Sequence, residues 1–348
     1  MMKIMIVGDW KWEIYEKSLG AALEGLGHTV KKFSISGYFN GLVGRFQNAI
    51  PVPGPAMAMM NYMLMKAAKR EMPDLMLAWR CTHLLPNTID NINKLGVATI
   101  SYNNDDPFSA DKENNAAWHY RKLWYWYKKC LKHYQYNLFY RKINVDEAIQ
   151  FGAAHADLFM PYFIPWIHRP VELHDRDENR FCADVVFVGH YENDNRMQFI
   201  RDLVKAGLSV KIFGGSWNKE KLGSLYEYFY PIAQVNGEDY TKALCGAKIC
   251  LAFMSKLNRD TYTRRCFEIP ACGKVMLAER TDDLANMYKE DEEACFFANS
   301  RELLAKARKL KEDAKLREKI GRAGYSRVWH DGNDIRSRAM QLVKIVHG

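Results

Sequence analysis

The residues best suited to chemistry stand together within residues 258–279. Arg264 and Arg265 precede Glu268 by four and three residues, and Gly273 follows at the start of an apolar segment. Arginine offers a planar set of donors that suits a diphosphate, whereas an ionised carboxylate only accepts hydrogen bonds and suits the paired hydroxyls of a ribose. The pattern is typical of a nucleotide site, although an ordinary Arg–Glu pair on a helix surface has the same spacing.

Length and composition place the chain among ordinary globular proteins of two-domain size. It has 348 residues, of which 48% are hydrophobic and 26% charged, enough for two hydrophobic cores. The net charge of +9 favours an anionic partner without choosing among a phosphorylated substrate, a membrane surface and a nucleic acid. The first residues are typical of a strand rather than a secretory signal, so we expect a cytoplasmic protein.

The cysteines and the apolar segments exclude some classes of protein. The eight cysteines show neither paired spacing nor clustering with histidine, which argues against a structural metal and a disulfide framework. No uninterrupted apolar stretch reaches the roughly 18 to 20 residues that span a bilayer. We therefore expect no metal, no bound cofactor and no membrane-spanning helix.

Strand and helix patterns alternate in both halves of the chain, which predicts two parallel sheets and an α/β fold. Residues 3–8 form an apolar run that ends at Gly8 and Asp9, and residues 183–188 form another that ends at Gly189. Since ligands bind beyond the carboxyl ends of strands in such sheets, these turns are candidate binding positions. Pro-rich and polar residues mark a predicted linker at 166–181.

A second candidate site follows the predicted strand at residues 98–103. Asn103, Asn104, Asp105 and Asp106 are consecutive there. Asp105 or Asp106 can bind acceptor hydroxyls or act as a base, yet Asn and Asp are also the usual residues of tight turns. Both interpretations stay open.

Residues 118–142 combine aromatic and basic side chains without any acidic one. We expect a helix in which one face carries aromatic and leucine side chains, opposite the basic residues. Such a helix either packs on its own domain or lies on an anionic membrane surface. The predicted aromatic face consists of Tyr120, Leu123, Trp124, Tyr127, Leu131 and Tyr134.

Taken together, these residues resemble the GT-B glycosyltransferases, particularly the spore-maturation (CgeB-like) group related to glycosyltransferase family 4. The resemblance rests on 186–189 with Arg196 downstream, on 262–273, and on 303–328. It implies two Rossmann-like domains that face each other across a cleft, with a last helix that crosses back to the first domain. The implied domains are an acceptor domain at 1–168 plus 333–348, and a nucleotide-sugar donor domain at 181–330.

The resemblance also implies roles for single residues. Glu268 is expected to accept hydrogen bonds from the ribose, and Arg265, with Arg264 and Arg196, to neutralise the departing diphosphate. Asp260 stands where the family has the first glutamate of its two-glutamate pattern, which leaves its sugar-binding role in doubt. The other residues expected to bind the donor are Tyr262, Thr263, Gly189, Gly214, Gly8 and Asp9.

The resulting hypothesis is a metal-independent and retaining glycosyltransferase that uses a UDP- or GDP-linked sugar and a glycan or lipid-linked acceptor. Two alternatives remain: a sugar-nucleotide epimerase or hydrolase on the same fold, and a coat or binding protein without turnover. A peripheral membrane location through residues 118–142 fits the hypothesis, and a nucleic-acid partner is not expected.

Overall fold

The computed structural model describes residues 1–49, 52–109 and 118–347, and the chain forms two units. The first unit contains Met1–Pro161 and Ile335–Gly348, and the second contains Tyr162–Asp334. Residues 162–181, which the sequence analysis divided between the first domain and the linker, group with the second unit.

The first unit is built on a parallel six-stranded sheet with the order β2-β1-β3-β4-β5-β6. Apolar side chains fill the middle strands, since helices cover both faces of a parallel sheet. The strands are β1 (Lys3–Gly8), β2 (Thr29–Ser34), β3 (Leu75–Trp79), β4 (Ala98–Asn103), β5 (Tyr136–Phe139) and β6 (Ala156–Leu158).

Helices connect these strands and pack on the sheet. They are α1 (Ser18–Gly25), α2 (Gly41–Ala49), α3 (Pro55–Glu71), α4 (Pro86–Asn93), α5 (Trp118–Leu123), α6 (Tyr125–Cys130) and α7 (Lys142–Gln150). A π-helical turn (Glu13–Lys17) precedes α1, and 3-10 turns lie at Ser36–Phe39 and Leu131–His133. Strand β6 ends at Leu158, although residues 158–164 have the apolar character of a longer strand.

The aromatic and basic segment is not one helix, which corrects the sequence prediction. It contains α5, α6 and a 3-10 turn, and then enters β5. Trp124, Tyr127, Leu131 and Tyr134 of the predicted aromatic face are buried inside the first unit, while Tyr120 lies outside the residues whose side chains the structure describes. The buried side chains of this face therefore pack against the first unit itself.

The second unit has a parallel five-stranded sheet with the order β11-β10-β9-β7-β8. The strands are β7 (Ala183–Val188), β8 (Val210–Phe213), β9 (Ala247–Ala252), β10 (Met276–Glu279) and β11 (Cys295–Phe297). The helices are α8 (Asp175–Phe181), α9 (Arg196–Lys205), α10 (Lys219–Leu222), α11 (Tyr226–Phe229), α12 (Gly237–Gly246), α13 (Arg265–Ala271), α14 (Asp282–Met287), α15 (Ser300–Glu312) and α16 (Ala314–His330), with a 3-10 turn at Gly223–Leu225.

The last helix, α17 (Ile335–His347), belongs to the first unit. Arg338 Nε donates to the carbonyl oxygen of Met160 at 3.1 Å, and Gln341 Nε2 donates to that of Leu158 at 2.9 Å. The chain thus returns to its first unit, as predicted, and the predicted α/β class with two parallel sheets is confirmed. Among the described residues, no helix has both the length and the apolar character needed to cross a membrane.

Candidate active site

The candidate site lies in the second unit, at the carboxyl ends of its central strands. Strand β7 has β8 on one side and β9 on the other, so the connections leave β7 in opposite directions. Ligands of open α/β sheets bind at such a switch point, outside the carboxyl ends of the strands. Gly189 follows β7 directly, and Gly214 follows β8.

The short helix α13 positions the acidic residue of the site. Pro270 lies inside this helix and has no N–H to donate to the carbonyl oxygen of Cys266. The Tyr288 hydroxyl donates to that oxygen instead, at 2.8 Å. The helix stops just before Gly273, whose φ of +68° suits glycine. These local features hold Glu268 on a helix that is buried from Cys266 to Ala271.

Glu268 is a buried carboxylate whose two oxygens have separate partners. Arg264 Nε donates to Oε1 at 2.9 Å, and the Tyr240 hydroxyl donates to Oε2 at 2.5 Å. Burial raises the pKa of Glu268, but the neighbouring His168, the charge of Arg264 and the hydrogen bonds from Tyr240 and Arg264 outweigh it and set the pKa below its usual range. The carboxyl group is therefore ionised at neutral pH, although only 5% of Glu268 is exposed.

His168 completes this cluster as a neutral imidazole. Its Nδ1 accepts the Ile164 N–H at 2.9 Å, so the ring proton of the neutral form is on Nε2, which lies 3.6 Å from Glu268 Oε1. Burial lowers the pKa of His168 to about 4, against the opposing effect of Glu268. At neutral pH the positive charge next to the carboxylate is therefore that of Arg264.

Arg265 carries a guanidinium nitrogen that lacks a hydrogen-bond partner among the described residues. Its Nε is buried and has no hydrogen-bond partner among the residues that the structure describes. Its guanidinium lies over the ring of Phe187 in β7, at 5.5 Å from the centroid. A buried donor without a partner is costly, so this atom is suited to an anionic ligand oxygen.

Arg196 lies over the same Phe187 ring, at 5.7 Å, but each of its guanidinium nitrogens already has a partner within the protein. Nε and Nη2 bind both carboxylate oxygens of Asp194 at 2.8 and 2.7 Å, and Nη1 donates to the His190 carbonyl oxygen at 2.6 Å. Arg196 is 3% exposed. It therefore holds the loop after β7 in place through Asp194 and His190.

The two glycines of the site allow the backbones of neighbouring strand ends to approach closely. A Cβ on Gly214 would lie 2.1 Å from the Gly189 carbonyl oxygen, and one on Gly189 would lie 2.6 Å from Cζ of Phe187. The same Gly189 oxygen accepts the Trp217 indole N–H at 2.9 Å. Neither position tolerates a side chain without a shift of its neighbours.

The other predicted residues of this segment lie in the loop before α13. Tyr262 packs against Phe267 with a ring distance of 6.2 Å, and the Thr263 N–H lies 3.5 Å from the sulfur of Cys266. Asp260 donates its N–H to the Ser255 carbonyl oxygen at 2.8 Å. Tyr262 and Thr263 are buried, so they support the loop around the site.

Gly8 and Asp9 belong to the first unit, where they form the turn after β1. The Asp9 N–H donates to Oε1 of the buried Glu16 at 2.8 Å. A Cβ on Gly8 would lie 2.2 Å from that same oxygen. Burial raises the pKa of Glu16 despite the backbone hydrogen bonds it accepts. This carboxyl group is therefore a further candidate site residue at the end of β1.

The two acids after β4 have different environments in the first unit. Asp106 is 2% exposed, and its Oδ1 accepts from the N–H groups of Phe108 and Ser109 and from Asn144 at 2.9 to 3.0 Å. These bonds build the turn. Asp105 instead pairs with the Nε of Arg80 and stays partly exposed, so it is the better candidate of the two for contact with a substrate.

In the second unit, the structure brings Glu268, Arg264 and Arg265 together. Sequence reasoning missed their partners Tyr240 and His168. Tyr240 comes from α12, 28 residues before Glu268, and His168 comes from a segment that resembled a linker. No local motif marks either residue.

A search of the described residues finds no group of three His, Cys, Asp or Glu side chains that could hold a metal ion. The expectation of a metal-independent protein stays a prediction.

Comparison with known proteins gives a family match for part of the chain. The model of the glycosyl transferase-like family matches residues 196–344, which is less than half of the chain. The chain therefore contains a glycosyltransferase-like domain. No curated protein matches the sequence.

Solved structures resemble the whole chain at low sequence identity. Sucrose-phosphate synthase from Thermosynechococcus elongatus is 13% identical with a TM-score of 0.68, over 100% of this chain and 98% of that one. HepE of Anabaena, in complex with UDP and glucose, is 12% identical with a TM-score of 0.64, over 100% of both chains. A putative UDP-N-acetylglucosamine 2-epimerase from Listeria monocytogenes is 12% identical with a TM-score of 0.58, over 98% and 95% of the two chains. The first two proteins are GT-B glycosyltransferases, and the likeness shows that this chain has the GT-B fold.

The buried His168 predicts how stability depends on pH. The pKa of His168 is about 6.5 in the unfolded chain and about 4 in the folded chain. Between these two pH values the imidazole is protonated in the unfolded chain and neutral in the folded chain. The unfolded state thus binds more protons in this window, and stability falls as the pH falls. At pH 4.5 the loss amounts to about 2 to 3 kcal/mol relative to neutral pH.

Denaturation by urea at several pH values measures this effect. His168→Gln should be less stable than the wild type at pH 7, and the difference should shrink on acidification because the variant lacks the titrating ring. His330→Gln, a change at an exposed residue, should follow the wild-type pH dependence. Parallel curves for the wild type and His168→Gln would show that His168 does not behave as a buried neutral ring.

Proposed function

We propose that the protein is a glycosyltransferase that moves a sugar from a nucleoside-diphosphate sugar to an acceptor. The observation that carries this proposal is the pair formed by an ionised, buried Glu268 and a buried, unpartnered Arg265 Nε, three residues earlier on the same helix. The two groups have opposite charge and suit the two polar ends of a nucleoside diphosphate. Their place within a glycosyltransferase-like domain supports the same conclusion.

Glu268 is assigned to the ribose. An ionised carboxylate has about four acceptor positions, and Arg264 and Tyr240 each use one of them. The remaining positions can accept hydrogen bonds from the 2′ and 3′ hydroxyls. Because Arg264 and Tyr240 fix the carboxylate, its orientation does not have to be set when the ligand arrives.

Arg265 is assigned to the diphosphate. Cleavage of the sugar–phosphate bond leaves negative charge on the nucleotide, and a fixed guanidinium stabilises that charge as it develops. Its stacking on Phe187 keeps the planar group in place. We propose that this charge makes a divalent metal unnecessary, and that transfer retains the anomeric configuration as in the family 4 and CgeB-like enzymes that the sequence resembles.

The donor is proposed to be linked to UDP or GDP. HepE of Anabaena, whose fold is shared, binds UDP and UDP-glucose, which favours UDP and a hexose. Gly189 and Gly214 border the same strand ends, where the lack of side chains leaves room for a ligand close to the backbone.

The acceptor is proposed to be a glycan or a lipid-linked sugar in polysaccharide synthesis, bound by the first unit. Asp105 and the turn of Gly8 and Asp9 lie at the carboxyl ends of β4 and β1, and β1 and β3 form the switch point of that sheet. Binding to an anionic membrane surface through the exposed basic residues of 118–142 belongs to the same proposal. We place the protein in the cytoplasm, where nucleotide sugars are the available donors.

A sugar-nucleotide epimerase is the second candidate, and the likeness to the putative 2-epimerase from Listeria monocytogenes favours it. An epimerase changes the sugar of the nucleotide sugar itself, whereas a transferase releases the nucleoside diphosphate. Incubation of the protein with UDP-glucose and UDP-N-acetylglucosamine, followed by separation of the nucleotides, distinguishes the two. Release of UDP that rises on adding glycan acceptors supports a transferase, and a new nucleotide sugar without release supports an epimerase.

Glu268→Gln should weaken nucleotide binding, because the ribose hydroxyls lose a charged hydrogen-bond acceptor. The substitution keeps the shape but removes the charge, and hydrogen bonds to charged groups contribute about 1.5 to 3 kcal/mol. We expect the affinity for UDP and for uridine to fall by roughly 10- to 150-fold, measured by calorimetry and by the UDP-induced rise in melting temperature. Glu318→Gln, at a carboxylate that is 61% exposed, is the matched control. If UDP, GDP and ADP all leave the wild-type melting temperature unchanged, the proposal fails.

Arg265→Met should weaken binding of the diphosphate without weakening binding of the nucleoside. The affinity for UDP should fall, because the charge that faces the phosphates is lost, while the affinity for uridine should stay near that of the wild type. Release of UDP from UDP-glucose in the presence of EDTA should fall by about 100-fold. Arg322→Met, at a guanidinium that is 79% exposed, should change neither quantity. An equal loss of UDP and uridine binding would contradict the assignment, and a wild-type activity abolished by EDTA would contradict metal independence.

A further inference from the structure

Two cysteines of the second unit contact each other away from the nucleotide site. Cys245 lies near the end of α12, and Cys272 follows the last residue of α13. The thiol of Cys272 lies close enough to that of Cys245 for each to shift the pKa of the other. The sulfur of Cys245 also lies 4.0 Å from the carbonyl oxygen of Cys272, so the two residues are in contact through both backbone and side chain.

The pair is accessible from one side. Both cysteines line a cavity of about 520 Å³, together with Lys274, Arg322 and Tyr325. Cys245 is partly exposed, whereas Cys272 is 2% exposed. Because Cys245 is the more exposed of the two, it is the more accessible to a small reagent that enters this cavity.

The surroundings of Cys245 favour its thiolate. The hydrogen bond from the Cys272 thiol, the backbone N–H of Val171 and the charges of Lys274 and Arg169 lower the pKa of Cys245 to about 7, although burial opposes them. The same hydrogen bond and burial raise the pKa of Cys272 well above its usual range. This asymmetry is the one expected of an attacking thiolate and a resolving thiol.

We propose that Cys245 and Cys272 form a reversible disulfide when the protein meets hydrogen peroxide, with Cys245 as the residue that reacts first. No part of this proposal depends on nucleotide binding or on glycosyl transfer. The site is a modification site of the folded protein, and its reagent is a small, uncharged peroxide.

The chemistry balances in two steps. The Cys245 thiolate attacks one oxygen of the peroxide, so that an S–O bond forms, the O–O bond breaks, and the released hydroxide takes up a proton to become water. The sulfur of Cys272 then attacks the sulfenic sulfur of Cys245, so that the S–S bond forms, the S–O bond breaks, and the hydroxyl leaves as water with the proton of Cys272. The two thiols lose two electrons, and the peroxide gains them.

The disulfide would join the two helices that supply the nucleotide site. Tyr240 lies on α12 one turn before Cys245, and Glu268 lies on α13 one turn before Cys272. The N–H of Cys272 donates to the carbonyl oxygen of Glu268 at 3.1 Å. The covalent bond therefore ties together the helices whose side chains form the Tyr240–Glu268 hydrogen bond.

Peptide mapping of the full-length protein tests the proposal. The reduced protein is treated with an equimolar amount of hydrogen peroxide, alkylated and digested without reductant. We expect one cross-linked peptide pair that contains Cys245 and Cys272, a mass lower by two hydrogen atoms, and recovery of both thiols with dithiothreitol. Oxidation of Cys245 to a sulfinic acid without a cross-link, or a cross-link to another cysteine, would overturn the proposal.

Variants establish the order of the two steps. Cys272→Ser should stop at the sulfenic acid, which dimedone traps on Cys245, while Cys245→Ser should leave Cys272 unmodified. Cys182→Ser, at an exposed cysteine, is the matched control and should form the cross-link like the wild type. Trapping on Cys272 rather than on Cys245 would reverse the assigned roles. The wild-type peptide map decides the main question even if a variant does not fold.

Discussion

The buried negative charge of Glu268 is the constraint on which the second unit depends. An ionised carboxylate that is taken out of water costs several kcal/mol unless charged and hydrogen-bonding partners surround it. Arg264 and Tyr240 supply those partners, and they come from different segments of the chain. The position of α12 relative to α13 is thus fixed by the need to satisfy one side chain. Removing Arg264 would leave the carboxylate charge uncompensated, and removing Tyr240 would leave one carboxylate oxygen without its hydrogen-bond donor.

Contacts with neighbouring residues stabilise α13, the helix that carries Glu268. Pro270 removes one backbone hydrogen bond from α13, and the hydroxyl of Tyr288 replaces it at the free carbonyl group. Gly321 of α16 allows close packing, since a Cβ there would lie 2.4 Å from the Gly273 carbonyl oxygen. A short helix with an internal proline would be marginal by itself. Here tertiary contacts hold both of its ends, so that the site is positioned by packing rather than by helix propensity.

Sequence patterns predicted the parts of this protein that depend on short-range spacing. The apolar runs of β1 and β7 and the Arg264–Glu268 spacing are local, and all were visible in the sequence. Tyr240 and His168 were not predicted, because their role depends on a tertiary fold that brings distant segments to one helix.

The segment 118–142 shows a limit of predictions from periodicity. Its burial pattern followed the predicted face, but periodicity alone did not reveal that the helix is broken and that a strand begins at Tyr136. The role of Arg196 at the diphosphate stays a prediction, and the sequence did not show that Asp194, two residues away, binds its guanidinium.

The adjacent arginines at the start of α13 have different surroundings. Successive residues of a helix point about 100° apart, and Arg264 and Arg265 face different groups in the structure. Arg264 turns towards the carboxylate and the ring of Tyr162, 4.9 Å from its guanidinium, and so compensates the buried charge. Arg265 turns towards Phe187 and keeps its Nε without a partner. Because Arg264 already neutralises Glu268, the charge of Arg265 is left over within the site, and an anionic ligand is the group that would balance it.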